Sequence, residues 1–420
     1  MKKILFFLVL GLLVAFLGMA EKVQVEFWHA MGGGHGEAVT QIVEMFNQQH
    51  DDIEIVPVYI GNYGALNQKL LASVQSDTLP VLSQAYGNWT SKLLQSDIVQ
   101  PLNEFIDNPT TGFTQAEWED IYRPFREMCT WGETVYGVPF NKSVYVMYYN
   151  TDVFEFEGLE PPETLDEFYE YAKMLTVDED GDGVVDQYGF GFRSTVDHFT
   201  VLLLNMGGTI AQENPDGSYT VTLNSQEARD TLAFMKKMKD EGIAFVQGGY
   251  LDGPFGEGKI AGFIETIASK PYVESASKGK HGWNWTKVPT GVDFRPPFAG
   301  TDVIMFSSAS DAEKAAGWEF LKFITSAKVT TFWALKTGYL PVRKSALETA
   351  EWKAYTKLEP MAAFPSTIVD SGYVDPKPAT WNEIRGAVGD MVNNVLFDKW
   401  TIEEGLAWAE TEINNYLATE

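Results

Sequence analysis

At 420 residues the chain exceeds the ~250–300 at which a single core stops growing, so two domains are expected. Hydrophobic residues make up 45% of it, enough for two cores. The 31 Lys+Arg against 58 Asp+Glu give a formal charge of −27, without the basic patch that neutralises phosphate backbones, which argues against nucleic acid as a partner.

Lys2 and Lys3 precede an apolar run from Ile4 to Leu17, and Gly18-Met19-Ala20 then places small residues around a cleavage after Ala20. Residues 1–20 therefore read as a secretory signal peptide, the run being shorter than the ~20 residues of a spanning helix. Cys129 is the only cysteine, so no intramolecular disulfide can form, and no cysteine follows the cleavage site to carry a lipid. The expectation is a soluble protein of the periplasm or another extracytoplasmic space.

Val23-Gln24-Val25-Glu26-Phe27 alternates as a strand does, Ala38, Val39, Ile42, Val43 and Phe46 follow at helical spacing, and Ile53–Tyr59 returns as a strand. That is a βαβ unit and hence a parallel sheet. The glycines between strand and helix, Gly32-Gly33-Gly34-His35-Gly36, lack the G-x-G-x-x-G spacing and any following Gly-Lys-Ser/Thr, so they are expected to form a turn rather than a nucleotide site. Thr164 with Glu167, Ser310 with Glu313 and Thr401 with Glu404 are capping boxes that place further helices. Val144–Tyr149 is another strand, and the class is α/β.

Asp178-Glu179-Asp180-Gly181-Asp182-Gly183-Val184-Val185-Asp186 has the spacing of a calcium loop. Asp178, Asp180, Asp182 and Asp186 would supply carboxylates and Val184 a carbonyl, although Gly189 stands where the bidentate Glu belongs. A structural Ca2+ there predicts a calcium-dependent rise in melting temperature. No other cofactor is expected.

Lys336-Thr337-Gly338 and Ser275-Ala276-Ser277-Lys278 match fragments of the serine β-lactamase pattern. The Ser lies in a polar, glycine-broken stretch, no Ser-Asp-Asn occurs, and Gly338 reads as the stop of an aromatic helix, so no hydrolase is expected. The five histidines show no metal-ligand spacing. Aromatics, at 14%, recur in polar settings, notably Trp28-His29, Tyr63, Tyr86, Trp283 and Tyr339, as suits residues that pack against the C–H face of a sugar or polyol.

Phe27-Trp28-His29, Gly61-Asn62-Tyr63, Pro139-Phe140-Asn141, Tyr148-Tyr149-Asn150 and Lys336-Thr337-Gly338-Tyr339-Leu340-Pro341 carry a resemblance over essentially the whole chain after residue 20. In order and spacing they resemble the extracellular solute-binding proteins of ABC importers, the family of maltose-binding protein, and within it the members that bind glycerol 3-phosphate. The resemblance implies a two-lobed periplasmic-binding-protein fold, each lobe a mostly parallel sheet flanked by helices, joined by crossover hinge strands. The first lobe would take 21–143 and 301–342, the second 144–300 and 343–420. It implies no chemistry on the ligand, a membrane permease as partner, and a monomer.

By position, Tyr63, Tyr86, Ser143, Ser269, Gly300, Tyr339 and Lys377 would line the ligand site, with Trp28, His29, Phe192 and Trp283 as further candidates. Tyr86 stands where an acidic residue is expected and Lys377 where an arginine is. Arg193 or Lys142 could supply missing charge, though each reads as a solvated surface residue. The ligand expected is glycerol 3-phosphate or a related glycerophosphoryl compound, with a neutral sugar as the alternative and an exported enzyme on the same fold as a remote one.

Overall fold

The computed structural model describes residues 22–420, and the signal-peptide expectation lies outside them. The first βαβ unit forms as its periodicity predicts: β1 (Val23–His29), α1 (Gly33–Asn47) and β2 (Ile53–Tyr59), with β1 and β2 parallel. The glycine run departs from expectation, since α1 already begins at Gly33. A Cβ on Gly36 would stand 2.7 Å from the Met31 carbonyl oxygen, so a side chain there would force the first turn away from the strand end.

Helix α2 (Tyr63–Ser76), whose N-cap Asn62 accepts from the Ala65 amide, leads to β3 (Leu82–Ala85), α3 (Gly87–Leu94) and β4 (Gly137–Pro139). The chain then crosses into β5 (Ser143–Asn150), β6 (Tyr188–Arg193), α4 (Val196–Asn205), α5 (Gln226–Asp240), β7 (Ala244–Gln247), β8 (Ile260–Thr266), β9 (Trp283–Thr286) and β10 (Phe298–Ala299). It returns as β11 (Asp302–Met305) and α6 (Ala327–Thr337), and finishes with α7 (Trp381–Leu396) and α8 (Ile402–Leu417). All three capping boxes read from the sequence are made, with both reciprocal bonds present.

The two large sheets run in the orders β2-β1-β3-β11-β4 and β7-β6-β8-β5-β9, with β10 also paired to β5. Each is parallel over its first three strands and antiparallel beyond them, from β11 beside β3 and from β5 beside β8, where the crossovers enter. Each sheet has its own core. Phe27, Ile42, Phe46, Trp318 and Trp333 pack in one, and Phe168, Phe190, Leu232 and Met391 in the other, where Phe168 and Phe190 stack at 3.8 Å. The protein is thus two-lobed and α/β.

Gly338 ends α6 in the left-handed conformation, φ 80°, and turns the chain toward Tyr339. Ser275 and Ser277 lie within the helix Lys270–Ser277 rather than in an irregular loop, yet Ser275 is exposed there, so no nucleophile opens a buried helix.

Candidate ligand-binding cleft

Strands β1, β3, β6 and β8 all end at one cleft of about 720 Å³, the place where open α/β sheets put ligands. Tyr63, Tyr86, Ser143, Ser269, Gly300, Tyr339 and Lys377 all line it, although they come from segments far apart in the chain. Tyr63 opens α2 and Tyr86 caps α3; their rings meet edge to face at 5.0 Å, and Trp89 joins Tyr86 at the same distance. Tyr339 stacks on Trp333 at 5.6 Å and meets the edge of His35 at 5.3 Å. The result is an aromatic wall on the side of the first sheet.

Burial pushes the hydroxyls of Tyr63, Tyr86 and Tyr339 up, so all three stay protonated and able to donate. Asn141 orients one of them by donating from Nδ2 to the Tyr63 hydroxyl at 2.8 Å. Its Oδ1 accepts from Gln84 Nε2 at 3.0 Å and from the Thr301 amide at 3.2 Å, which ties the wall to both crossovers. Gly300 is held at φ 99°, where a Cβ would fall 1.7 Å from the Asn141 carbonyl oxygen.

The opposite wall is charged. Arg193, at the end of β6, donates from Nη1 to Glu265 Oε2 at 3.1 Å and lies 4.4 Å from the exposed Tyr250 ring. Arg385 on α7 donates from Nη2 to Asp197 in the first turn of α4. Burial raises Asp197, but the Arg385 guanidinium outweighs it and holds the carboxyl low. For the neighbouring Asp375 burial wins and the carboxyl is raised, even with Arg385 close by.

Four of the sequence candidates fall outside the cleft lining. Trp28 is buried with Leu66 and Leu70 under α2, with the Lys69 ammonium 4.6 Å from its ring. His29 is buried, accepts from the Met31 amide at 3.3 Å, and is driven by burial to a pKa of about 4. Phe192 belongs to the second core, 5.9 Å from Phe168, and Trp283 packs on Tyr148 and Trp285 on the far edge of its sheet. Parallel strands covered on both faces bury both sets of side chains, so alternation there does not mark the residues that face a ligand.

Nor are Lys142 and Arg193 solvated surface residues. Lys142 is fully buried against Asp302, and Arg193 lines the cleft. In the acidic loop, Asp178, Asp180 and Asp186 can bring oxygens within 4.8 Å of one another. Asp182 instead accepts from the Val184 amide at 2.7 Å, and Asp178 takes the amides of Gly181 and Gly183.

A family model described as bacterial extracellular solute-binding protein matches residues 41–360. The chain belongs to that family. This solute-binding protein is 27% identical over 365 residues to the sn-glycerol-3-phosphate-binding periplasmic protein UgpB of Salmonella typhimurium, covering 84% of this chain and 82% of the relative. Its fold is similar to that of UgpB from Mycobacterium tuberculosis in complex with glycerophosphocholine, with a TM-score of 0.82 at 17% identity over 95% of this chain and 99% of that one. It is also similar to the GacH receptor of Streptomyces glaucescens GLA.O, solved unliganded and with acarbose, with a TM-score of 0.81 at 18% identity over 95% and 99% of the two chains.

Sequence reading missed Asp197, Tyr250, Asp375 and Arg385 in the lining of this solute-binding protein, whereas Tyr145, one of its aromatics in polar settings, is there. Asp197 was within reach, because it opens the helix that follows a strand ending at the cleft. Arg385 carried no local signal; in sequence it is one charged position of an amphipathic helix, and only the packing of α7 aims it inward.

Proposed function

We propose that the protein is the extracytoplasmic binding subunit of an ABC importer. It captures glycerol 3-phosphate or a related glycerophosphoryl compound between its lobes and delivers it unchanged to a membrane permease. The observation that carries this reading is the convergence of the seven resemblance-derived positions on one cleft, together with relatives named for glycerol 3-phosphate.

The proposed lobes are 21–143 with 301–342, and 144–300 with 343–420. Strand β11, seated between β3 and β4, supports the first grouping, and the packing of α7 and α8 on α5 supports the second. The proposed compartment is the periplasm or its equivalent, reached through the signal peptide at 1–20. Among the described residues no helix is long and apolar enough to cross a membrane. The protein would act as a monomer.

A neutral sugar is the second reading. It is favoured by the composition of the cleft: aromatic rings line it, and its four carboxylic acids, Asp197, Asp252, Glu265 and Asp375, outnumber its three strong cations, Arg193, Lys377 and Arg385. A thermal-shift panel on ligand-stripped protein separates the readings. At 100 times its dissociation constant a ligand should add ~2.7 kcal/mol of stability. Stabilisation by glycerol 3-phosphate or glycerophosphocholine is expected; stabilisation only by mono- to trisaccharides would replace the first reading with the second. With either ligand, Tyr339→Ala should weaken binding by about 1 kcal/mol or more, the scale of a lost aromatic contact.

A structural calcium at 178–186 is the finer proposal for the acidic loop. Added Ca2+ is expected to raise the melting temperature and chelation to reverse the rise, and indifference to both would end it.

A further inference from the structure

The resemblance places Lys377 where an arginine would meet the anion of the ligand. The structure gives the side chain other work. Its ammonium donates to the carbonyl of Glu127 at 2.8 Å and to that of Thr130, and lies 4.4 Å from the Trp131 ring. The Lys377 carbonyl accepts from Ser91 Oγ at 2.7 Å, and the same hydroxyl accepts from Trp131 Nε1 at 2.9 Å. An ammonium has three donors, so with two on carbonyls and an indole beside them little remains for a ligand.

Two of these partners belong firmly to the side of the first sheet. Ser91 lies on α3, whose Trp89 and Leu93 pack with Trp28 and Ile304. Thr130 and Trp131 pair with Val135 and Thr134, and both Cys129 and Val135 lie in the first core. The segment that carries Lys377 is anchored on the other side. Trp381, four residues on, packs in the second core, and the Glu420 carboxylate after α8 accepts from the amides of Ala379 at 2.9 Å and Thr380 at 2.8 Å. A segment fixed to one lobe therefore reaches across and bonds to the other. It also adjoins the site, because Asp375, two residues before Lys377, and Met128, between Glu127 and Thr130, both line the cleft.

We propose that Lys377 is a positioning residue, an interlobe latch that holds the two walls of the cleft facing one another before a ligand is bound. The inference rests on the two-lobe division proposed above and on no particular ligand. Hinged lobes pass between open and closed arrangements, and a ligand that needs the closed one loses affinity in proportion as that arrangement becomes rarer. The latch bonds favour the closed arrangement using only protein atoms.

Small-angle X-ray scattering of the ligand-stripped full chain, with calorimetric titration beside it, tests the latch. Lys377→Met should raise the ligand-free radius of gyration, Ser91→Ala should raise it less, and Lys377→Arg, which can donate to the same carbonyls, should return it to the parent value. Ser91→Ala, the milder change, carries the test if Lys377→Met does not fold. With whichever of glycerol 3-phosphate, glycerophosphocholine and maltotriose the parent binds, Lys377→Met should bind about tenfold more weakly whatever the NaCl concentration, and saturation should bring its scattering back to that of the parent. Unchanged ligand-free scattering in both Lys377→Met and Ser91→Ala overturns the latch. So does a loss confined to glycerol 3-phosphate that shrinks as NaCl rises, which would return the ammonium to the ligand. Variants that open although the parent binds none of the three probes support the latch, and the ligand reading alone falls.

Discussion

Lys142→Met is expected to lower the stability of the fold by about 3–5 kcal/mol, the range for breaking a buried ion pair by removing one partner. The Lys142 ammonium is fully buried and lies 2.6 Å from Asp302 Oδ1, with the Asp302 side chain only 4% exposed. The Cys129 thiol donates to the same carboxylate at 3.0 Å. Taking away the ammonium would leave a buried carboxylate with a weak donor in place of a charge. Chemical denaturation followed by tryptophan fluorescence reads the loss. The paired change Lys142→Met with Asp302→Leu should recover much of it, since both charges then leave together. A single variant as stable as the parent would show that the pair contributes little.

Gly300→Ala is expected to damage stability and ligand binding together. The left-handed φ alone costs a non-glycine residue roughly 1–3 kcal/mol. The added Cβ would also overlap the carbonyl oxygen of Asn141, which lies in the bend leading into the other crossover strand. Moving Asn141 disturbs the bonds it makes to Gln84, Thr301 and Tyr63, so the strain reaches the aromatic wall of the cleft. Titration well below the melting temperature separates the two effects. A folded variant that binds as the parent does would remove Gly300 from the account of the site.

The βαβ start, the capping boxes and the αL stop at Gly338 were legible in the sequence because each is set by neighbours within a few residues. The cleft was legible through position in a family pattern, and that is why Tyr63 and Tyr339 were found while Asp197 and Arg385 were not. Pattern fails where this chain departs from it. Lys377 sits at the expected place, but the carbonyls that hold its ammonium belong to Glu127 and Thr130, some 250 residues earlier, beyond any local cue. The aromatic motif at Trp28-His29 misled for a different reason. The end of its strand, Phe27–His29, is buried on both faces although Gln24 and Glu26 before it are exposed, so conspicuous side chains there serve the core.

The strand order of the first sheet also governs how the polypeptide can fold as it is synthesised. Strand β4 pairs with no strand of that sheet except β11, and β3 needs β11 on its outer side. Until residue 305 has emerged, β1, β2 and β3 can form only a half-sheet with an open edge, a state prone to pairing with other chains. Closing it joins Ala85 to Asp302 across the whole of β5 to β10. Such distant pairing makes for slow folding. A nascent chain of this protein therefore stays incomplete, and easily kept unfolded, for most of its synthesis.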